Sequence, residues 1–295
     1  MNNMKLGVLS CLATIGFLMS NGLAYATTPT QSIKSEVKTK EQKQKVNFSL
    51  DYWSKVSSNS NITDEWLVPA ASTSESVFYI EVEVSEPFIT LPKIGSSEVI
   101  KVYVDMTSTG SGFLVANNIV VTAAHLVTND EGNYDSNKPI KLKSSKADTT
   151  TIAGKLVFVD KEKDIAFIQL EDCLGIQPFE LQDKTADKEN VLALGYPVSL
   201  KNKGVLSKVR PMATVSNLAS EYFYYKAGDK TLDYKKIEVA LESGYSGGPV
   251  INFSKSVVGF VIALATDNKV VIVPSSVIKD SLESYQSSKT GNNKQ

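Results

Sequence analysis

The chain has 295 residues and 42% hydrophobic content, enough to bury the core of one two-lobed domain or of two small ones. Its 31 Lys and Arg against 32 Asp and Glu leave a formal net charge of −1, which removes any electrostatic case for nucleic acid or an anionic membrane as partner. One histidine and two cysteines cannot build a typical zinc site, and no G-x-x-x-x-G-K-[ST] phosphate loop is present, so neither metal nor cofactor is expected.

The first 26 residues read as a secretory signal. Lys5 supplies the positive charge, Leu6 to Met19 is uncharged and mostly apolar but too short to span a bilayer, and Ala24-Tyr25-Ala26 is an A-x-A cleavage site. Cleavage after Ala26 leaves Thr27 at the new terminus and no membrane attachment. It also removes Cys11, so Cys173 stands alone and no intramolecular disulfide can form. An exported chain without disulfides suggests a bacterial periplasmic or secreted protein. Cys173 is expected as a small buried hydrophobe.

Residues 27–75 form an N-terminal extension, partly disordered. Its first stretch, to about residue 45, is Thr, Gln, Ser, Lys and Glu with almost nothing to bury. Phe48, Tyr52, Trp53 and Trp66 make the rest apolar enough to pack on the main domain.

From Val77 the pattern becomes β. Strands are predicted at 77–84, 99–104, 112–115, 118–122, 140–142, 154–160 and 165–170. A second set follows at 191–194, 212–217, 237–241, 249–252, 257–265 and 269–273. Many short strands with polar turns indicate an all-β barrel or sandwich, and the lack of strand–helix alternation argues against a doubly wound sheet. One helix is predicted over 275–285, capped by Ser275 or Ser276, with Val277, Ile278, Leu282 and Tyr285 inward. Residues 289–295 read as a disordered tail.

Three separated residues carry the chemistry. The single histidine ends Val121-Thr122-Ala123-Ala124-His125. Asp164 heads the apolar run Ile165 to Leu170. Ser246 lies within Gly244-Tyr245-Ser246-Gly247-Gly248-Pro249. A serine hydroxyl is a poor nucleophile at neutral pH and needs a base that takes its proton and returns it to the leaving group. An imidazole suits both steps, and a carboxylate fixes its tautomer and stabilises its charged form. The N–H groups of Gly244 and Ser246 are the candidates for meeting the tetrahedral oxyanion. Asp160, which also abuts a strand, is a rival for the acid. The segment around Ser246 also fits the G-x-S-x-G elbow of α/β-hydrolases. That fold needs a histidine after the serine and a helix after the elbow, and this chain has neither.

These motifs, with Gly110-Ser111-Gly112-Phe113-Leu114-Val115, resemble the trypsin/chymotrypsin-like serine proteases. Within them the chain looks most like the bacterial high-temperature-requirement (HtrA) proteases. Leu192-Ala193-Leu194-Gly195-Tyr196-Pro197 is similar to a loop those enzymes carry between their barrels. Ile272-Val273-Pro274-Ser275-Ser276-Val277-Ile278 resembles the entry to their last helix. The resemblance covers residues 76–288. It implies a double six-stranded β-barrel, with barrels at about 76–183 and 184–288, a short C-terminal helix and an active site between the barrels. HtrA proteases usually continue into a PDZ domain. This chain ends soon after the helix, so control through such a module is not expected. Tyr245 replaces the Asp of trypsin-like zymogens and the Asn usual in HtrA relatives, so the zymogen switch is not expected either.

By the same analogy Ala240 lies at the base of the specificity pocket, and the strand carrying Ile262, Ala263 and Leu264 forms its wall. With no carboxylate at 240 and no second histidine, cleavage after Lys, Arg or Glu is not expected. The resemblance therefore implies an exported serine endopeptidase acting on polypeptides through an acyl-enzyme, with His125, Asp164 and Ser246 as its triad. The alternatives are a protease-like binding or chaperone module that has lost turnover, or a latent form.

Overall fold

The computed structural model describes residues 62–94, 97, 99–135, 138–145, 150–198, 211–227, 229–265 and 267–291. The predicted signal and cleavage site and the extension up to residue 61 lie outside these, as do residues 292–295. The described chain begins with helix α1 (Asp64–Thr73) and ends with helix α2 (Ser275–Gly291). Twelve antiparallel strands lie between them. Strands β1 (Val77–Pro92), β2 (Val99–Ala116), β3 (Ile119–Thr122), β4 (Ile140–Ser144), β5 (Ile152–Asp160) and β6 (Ile165–Leu170) close one barrel in the order β1-β2-β3-β6-β5-β4. Strands β7 (Asn190–Gly195), β8 (Met212–Ala227), β9 (Lys230–Ile237), β10 (Pro249–Asn252), β11 (Val257–Leu264) and β12 (Val270–Pro274) close the second in the order β10-β11-β12-β9-β8-β7. The predicted double six-stranded barrel is therefore what the chain forms.

Closure removes the exposed edges that open sheets must protect. Each barrel is small enough to be filled by side chains alone. Phe78, Ile80, Phe113, Leu142 and Phe167 fill the first, and none is measurably exposed. Phe113 also approaches Phe260 of β11, with ring centroids 6.3 Å apart, so the core runs from one barrel into the other.

The largest departures from the predicted strands are two hairpins that outgrow their barrels. β1 pairs with β4 only over Phe78–Val82, and β2 pairs with β3 only from Phe113 onward. Beyond those points the two strands pair with each other as far as Pro92 and Val99. This arm carries Phe88, Leu91, Ile100 and Met106 exposed. Likewise β8 and β9 continue as a two-stranded arm from Tyr222–Lys235 to Ala227–Lys230. The strand predicted at 237–241 instead lies upstream, at 230–237. The outer residues of β1 and β2 are mostly exposed on both faces, so burial imposes no in–out alternation there, although 99–104 is a strand as predicted.

The ends of the domain are tied down by aromatic packing. Trp66 of α1 is 2% exposed and meets Phe253 edge-on at 5.4 Å. On α2, Ile278 and Tyr285 are buried as predicted, and the Tyr285 ring packs on Phe158 and Phe167 of the first barrel. The helix runs to Gly291, so Lys289 to Gly291 are helical and not the start of a disordered tail. The Ser275 hydroxyl, expected as a cap, donates to the Gln182 carbonyl at 2.6 Å and anchors the helix start to the inter-barrel connection. Cys173 is exposed, against the expectation of burial, because it follows the end of β6 in an irregular segment. Removing the Trp66 ring should cost about 3 kcal/mol through lost burial and the cavity left behind. Urea unfolding of Trp66→Ala against the unaltered chain measures this.

Candidate active site

His125 and Asp164 are brought together by two neighbouring strands. β3 pairs with β6 in the register Thr122↔Ala166, so the residues following β3 meet the turn preceding β6. Past Thr122 the chain enters a 3₁₀ turn at Ala124–Leu126 with His125 at its centre. Asp164 closes the four-residue loop between β5 and β6, where Asp160 pairs with Ile165. Its φ is +55°, a left-handed conformation that aspartate tolerates better than most residues.

This conformation turns the carboxylate toward His125. Oδ2 of Asp164 lies 2.8 Å from His125 Nδ1, and Oδ1 accepts the His125 backbone N–H at 2.9 Å. The Asp164 carbonyl accepts the Ala124 N–H at 3.2 Å. One aspartate thus holds both ring and backbone of the histidine, with Nδ1 as donor and Nε2 left as the basic nitrogen. Asp160 is occupied otherwise. Its Oδ1 accepts the Lys163 N–H at 3.1 Å, and its Oδ2 pairs with Lys163 Nζ at 2.9 Å. Burial acts to lower the His125 pKa, but the Asp164 charge and hydrogen bond outweigh it, and the imidazole is held above its ordinary value.

Ser246 sits in the loop between β9 and β10, half-buried. The loop is stapled on several sides. Gly247 N–H donates to Val261 O at 2.7 Å, Gly248 O accepts Val261 N–H at 3.0 Å, and Ser243 O accepts Val198 N–H at 2.8 Å. Two glycines permit this path. Gly244 (φ +103°) passes so close to Tyr196 that a β-carbon would lie 2.2 Å from its carbonyl oxygen. At Gly247 (φ +81°) one would lie 2.1 Å from Ser111 O and 3.1 Å from Ala123 N. The second contact sets the serine loop against the strand end that delivers His125. Among the described residues, none is hydrogen-bonded to the Ser246 hydroxyl or accepts the N–H of Gly244 or Ser246.

Tyr245, the departure from the family pattern, is 4% exposed. Its ring packs against Gly195 in the core of the second barrel, and its hydroxyl lies 3.1 Å from Thr214 Oγ1. Ser111 plays a part that the sequence did not reveal. It is fully buried in β2, and its hydroxyl donates to Gly244 O at 2.6 Å while accepting Tyr196 N–H at 2.9 Å. Its own N–H donates to Ser246 O at 2.8 Å, and its carbonyl accepts Thr122 Oγ1 at 2.7 Å. One first-barrel residue therefore fixes both ends of Gly244-Tyr245-Ser246. The G-S-G-F segment was the available signal, but nothing in it tells a hub from a strand.

Of the pocket residues, Ala240 and Ala263 are exposed, whereas Ile262 is 6% exposed and packed in the core. Leu264 ends β11, and its side chain lies outside the described residues. β11 pairs with β12 to Leu264, but β10 covers its other edge only as far as Phe260.

Residues 110–260, just over half of the chain, match the trypsin-like peptidase domain and include His125, Asp164 and Ser246. The chain belongs to this family. Within this trypsin-like family it is similar to serine protease HTRA1 of Xenopus tropicalis, at 29% identity over 62% of this chain and 38% of that protein. It is also similar to serine protease HTRA4 of Mus musculus, at 28% identity over 61% of this chain and 35% of that one. The chain thus spans little more than a third of these relatives' length. The crystal structure of the Rv3671c protease of M. tuberculosis in its active form superposes with a TM-score of 0.51 at 19% identity, covering 73% of this chain and 82% of that one. The same two-barrel trypsin-like fold is shared with the inactive form of that protease, at a TM-score of 0.51 and 18% identity over 74% and 92% of the two chains.

Two measurements follow from this geometry. Ser111→Ala removes the hydroxyl that bonds both the Gly244 carbonyl and the Tyr196 N–H, and should cost about 2 kcal/mol of stability by urea unfolding. Asp164→Asn removes the charge that raises His125, so the imidazole midpoint should fall. The single histidine makes its NMR titration unambiguous. By linkage, a raised histidine pKa stabilises the fold below about pH 6.5, and the contribution is lost as pH climbs through the folded midpoint.

Proposed function

We propose that the chain is an exported serine endopeptidase that cleaves polypeptides through an acyl-enzyme. The observation that carries this reading is the doubly bonded His125–Asp164 pair beside a stapled serine loop. Ser246 Oγ attacks the peptide carbonyl and passes its proton to His125 Nε2. Asp164 holds the ring and stabilises the imidazolium. The proton then goes to the leaving amine, and water repeats the sequence to release the acid. The N–H groups of Gly244 and Ser246, which no described residue engages, receive the oxyanion. Export to a periplasm or to the medium is read from Lys5 to Ala26.

Substrate adds as a strand along the open edge of β11 beyond Val261. Ala240 and Ala263 leave a shallow apolar pocket without charge, which suits small or medium aliphatic side chains. A peptide-library profile dominated by charged residues at the cleaved position would overturn this specificity.

A fluorophosphonate probe should label the wild-type chain at Ser246 and leave Ser246→Ala unlabelled and without peptidase activity, its melting temperature retained. Wild-type protein that resists the probe would instead be a binding module or a latent form. Turnover should fall on the acid side as His125 takes up its proton. That limb should lie above the ordinary imidazole value, because Asp164 raises His125.

A further inference from the structure

The acid turn is held from the opposite barrel. Tyr234 of β9 is fully buried, and its hydroxyl donates to the Lys163 carbonyl at 2.8 Å. Lys163 immediately precedes Asp164, within the loop that forces Asp164 into left-handed backbone. Within the turn, Asp160 holds the Lys163 N–H at 3.1 Å and Nζ at 2.9 Å, while the Asp164 N–H itself reaches Lys161 O only at 3.4 Å. The Tyr234 ring is fixed in turn. It stacks on Tyr225 of β8 with centroids 4.9 Å apart and planes within 2°. The two are diagonal neighbours on the arm, since Tyr225 pairs with Leu232 and Tyr234 with Phe223. The hydroxyl stays a donor at any working pH, because burial first, and the negative charge of Asp164 and Asp160 with it, push its pKa far up. The titratable groups at this contact are those of the turn from Asp160 to Asp164, His125 against it, and Tyr225 and Tyr234 on the arm.

We infer that Tyr234 is a positioning residue for the triad: the β8–β9 arm of the second barrel reaches across and clamps the turn that aims Asp164 at His125. The barrel that carries the nucleophile thereby also sets the orientation of the base. The inference rests on the reading of Asp164 as the residue that orients the catalytic imidazole. A loosened turn lets the carboxylate drift, weakens its hold on Nδ1 and returns the imidazole toward its unperturbed basicity. A merely structural tyrosine would change the melting temperature and leave the histidine alone.

The test uses the one histidine as reporter. Tyr234→Phe keeps the ring and its stacking and removes only the donor, and Tyr234→Met repeats the loss with different packing. Tyr224→Phe, on the same arm with its side chain exposed, is the control. NMR titration of His125 should show both Tyr234 variants shifted down by about half a unit. Tyr224→Phe should match wild type. For peptide hydrolysis, kcat should drop about tenfold with KM little changed, the pattern of an interaction realised in the transition state. A folded Tyr234 variant whose His125 midpoint stays within about 0.1 unit of wild type overturns the clamp. The titration needs no turnover. Wild-type protein that fails to label would therefore refute the protease reading and leave this measurement to decide the clamp independently.

Discussion

An aspartate carboxylate that bonds an imidazole with one oxygen and the same residue's backbone N–H with the other is the constraint on which this site rests. Either bond alone would leave a degree of freedom. A ring bond fixes the tautomer and lets the backbone slide; a backbone bond fixes the chain and lets the ring turn. Together they leave His125 one orientation. The cost is a non-glycine residue in left-handed backbone, which the surrounding hydrogen bonds must over-determine. The Lys163–Asp160 pair and the Tyr234 hydroxyl do so from two sides.

The two barrels divide the proposed triad between them and then exchange supports. The first supplies His125 and Asp164; the second supplies Ser246. Ser111 crosses from the first barrel to hold the loop of the second, and Tyr234 crosses back to hold the turn of the first. Rigid-body drift between the barrels would break these bonds together, so Ser246 and His125 share a single frame.

The sequence made one layer of this organisation readable. Short apolar runs between polar turns marked most of the strands that fill the barrels, and the types His, Asp and Ser, each flanked by apolar or glycine-rich residues, marked the candidate triad. The outer part of β1 past Val84, the middle of β2 between Val104 and Gly112 and the outer half of β8 went unpredicted, whereas the exposed stretch 99–104 was predicted correctly, and β9 was placed too late. The supports were unreadable for another cause. Ser111 and Tyr234 are an unremarkable strand serine and strand tyrosine. Their roles come from partners 133 and 71 positions away, which only the closed barrels bring near. Ile262 illustrates the limit of analogy, because a strand position that suggested a pocket wall turned out to pack inward.

Tyr245 changes how the nucleophile loop is secured. Where a zymogen-type loop depends on a carboxylate finding an ammonium, its order can be screened by salt or lost when either partner changes protonation. Here the corresponding position is a buried aromatic ring against Gly195, and burial of that kind is nearly indifferent to ionic strength. A loop secured this way keeps its path in brine and in dilute buffer alike.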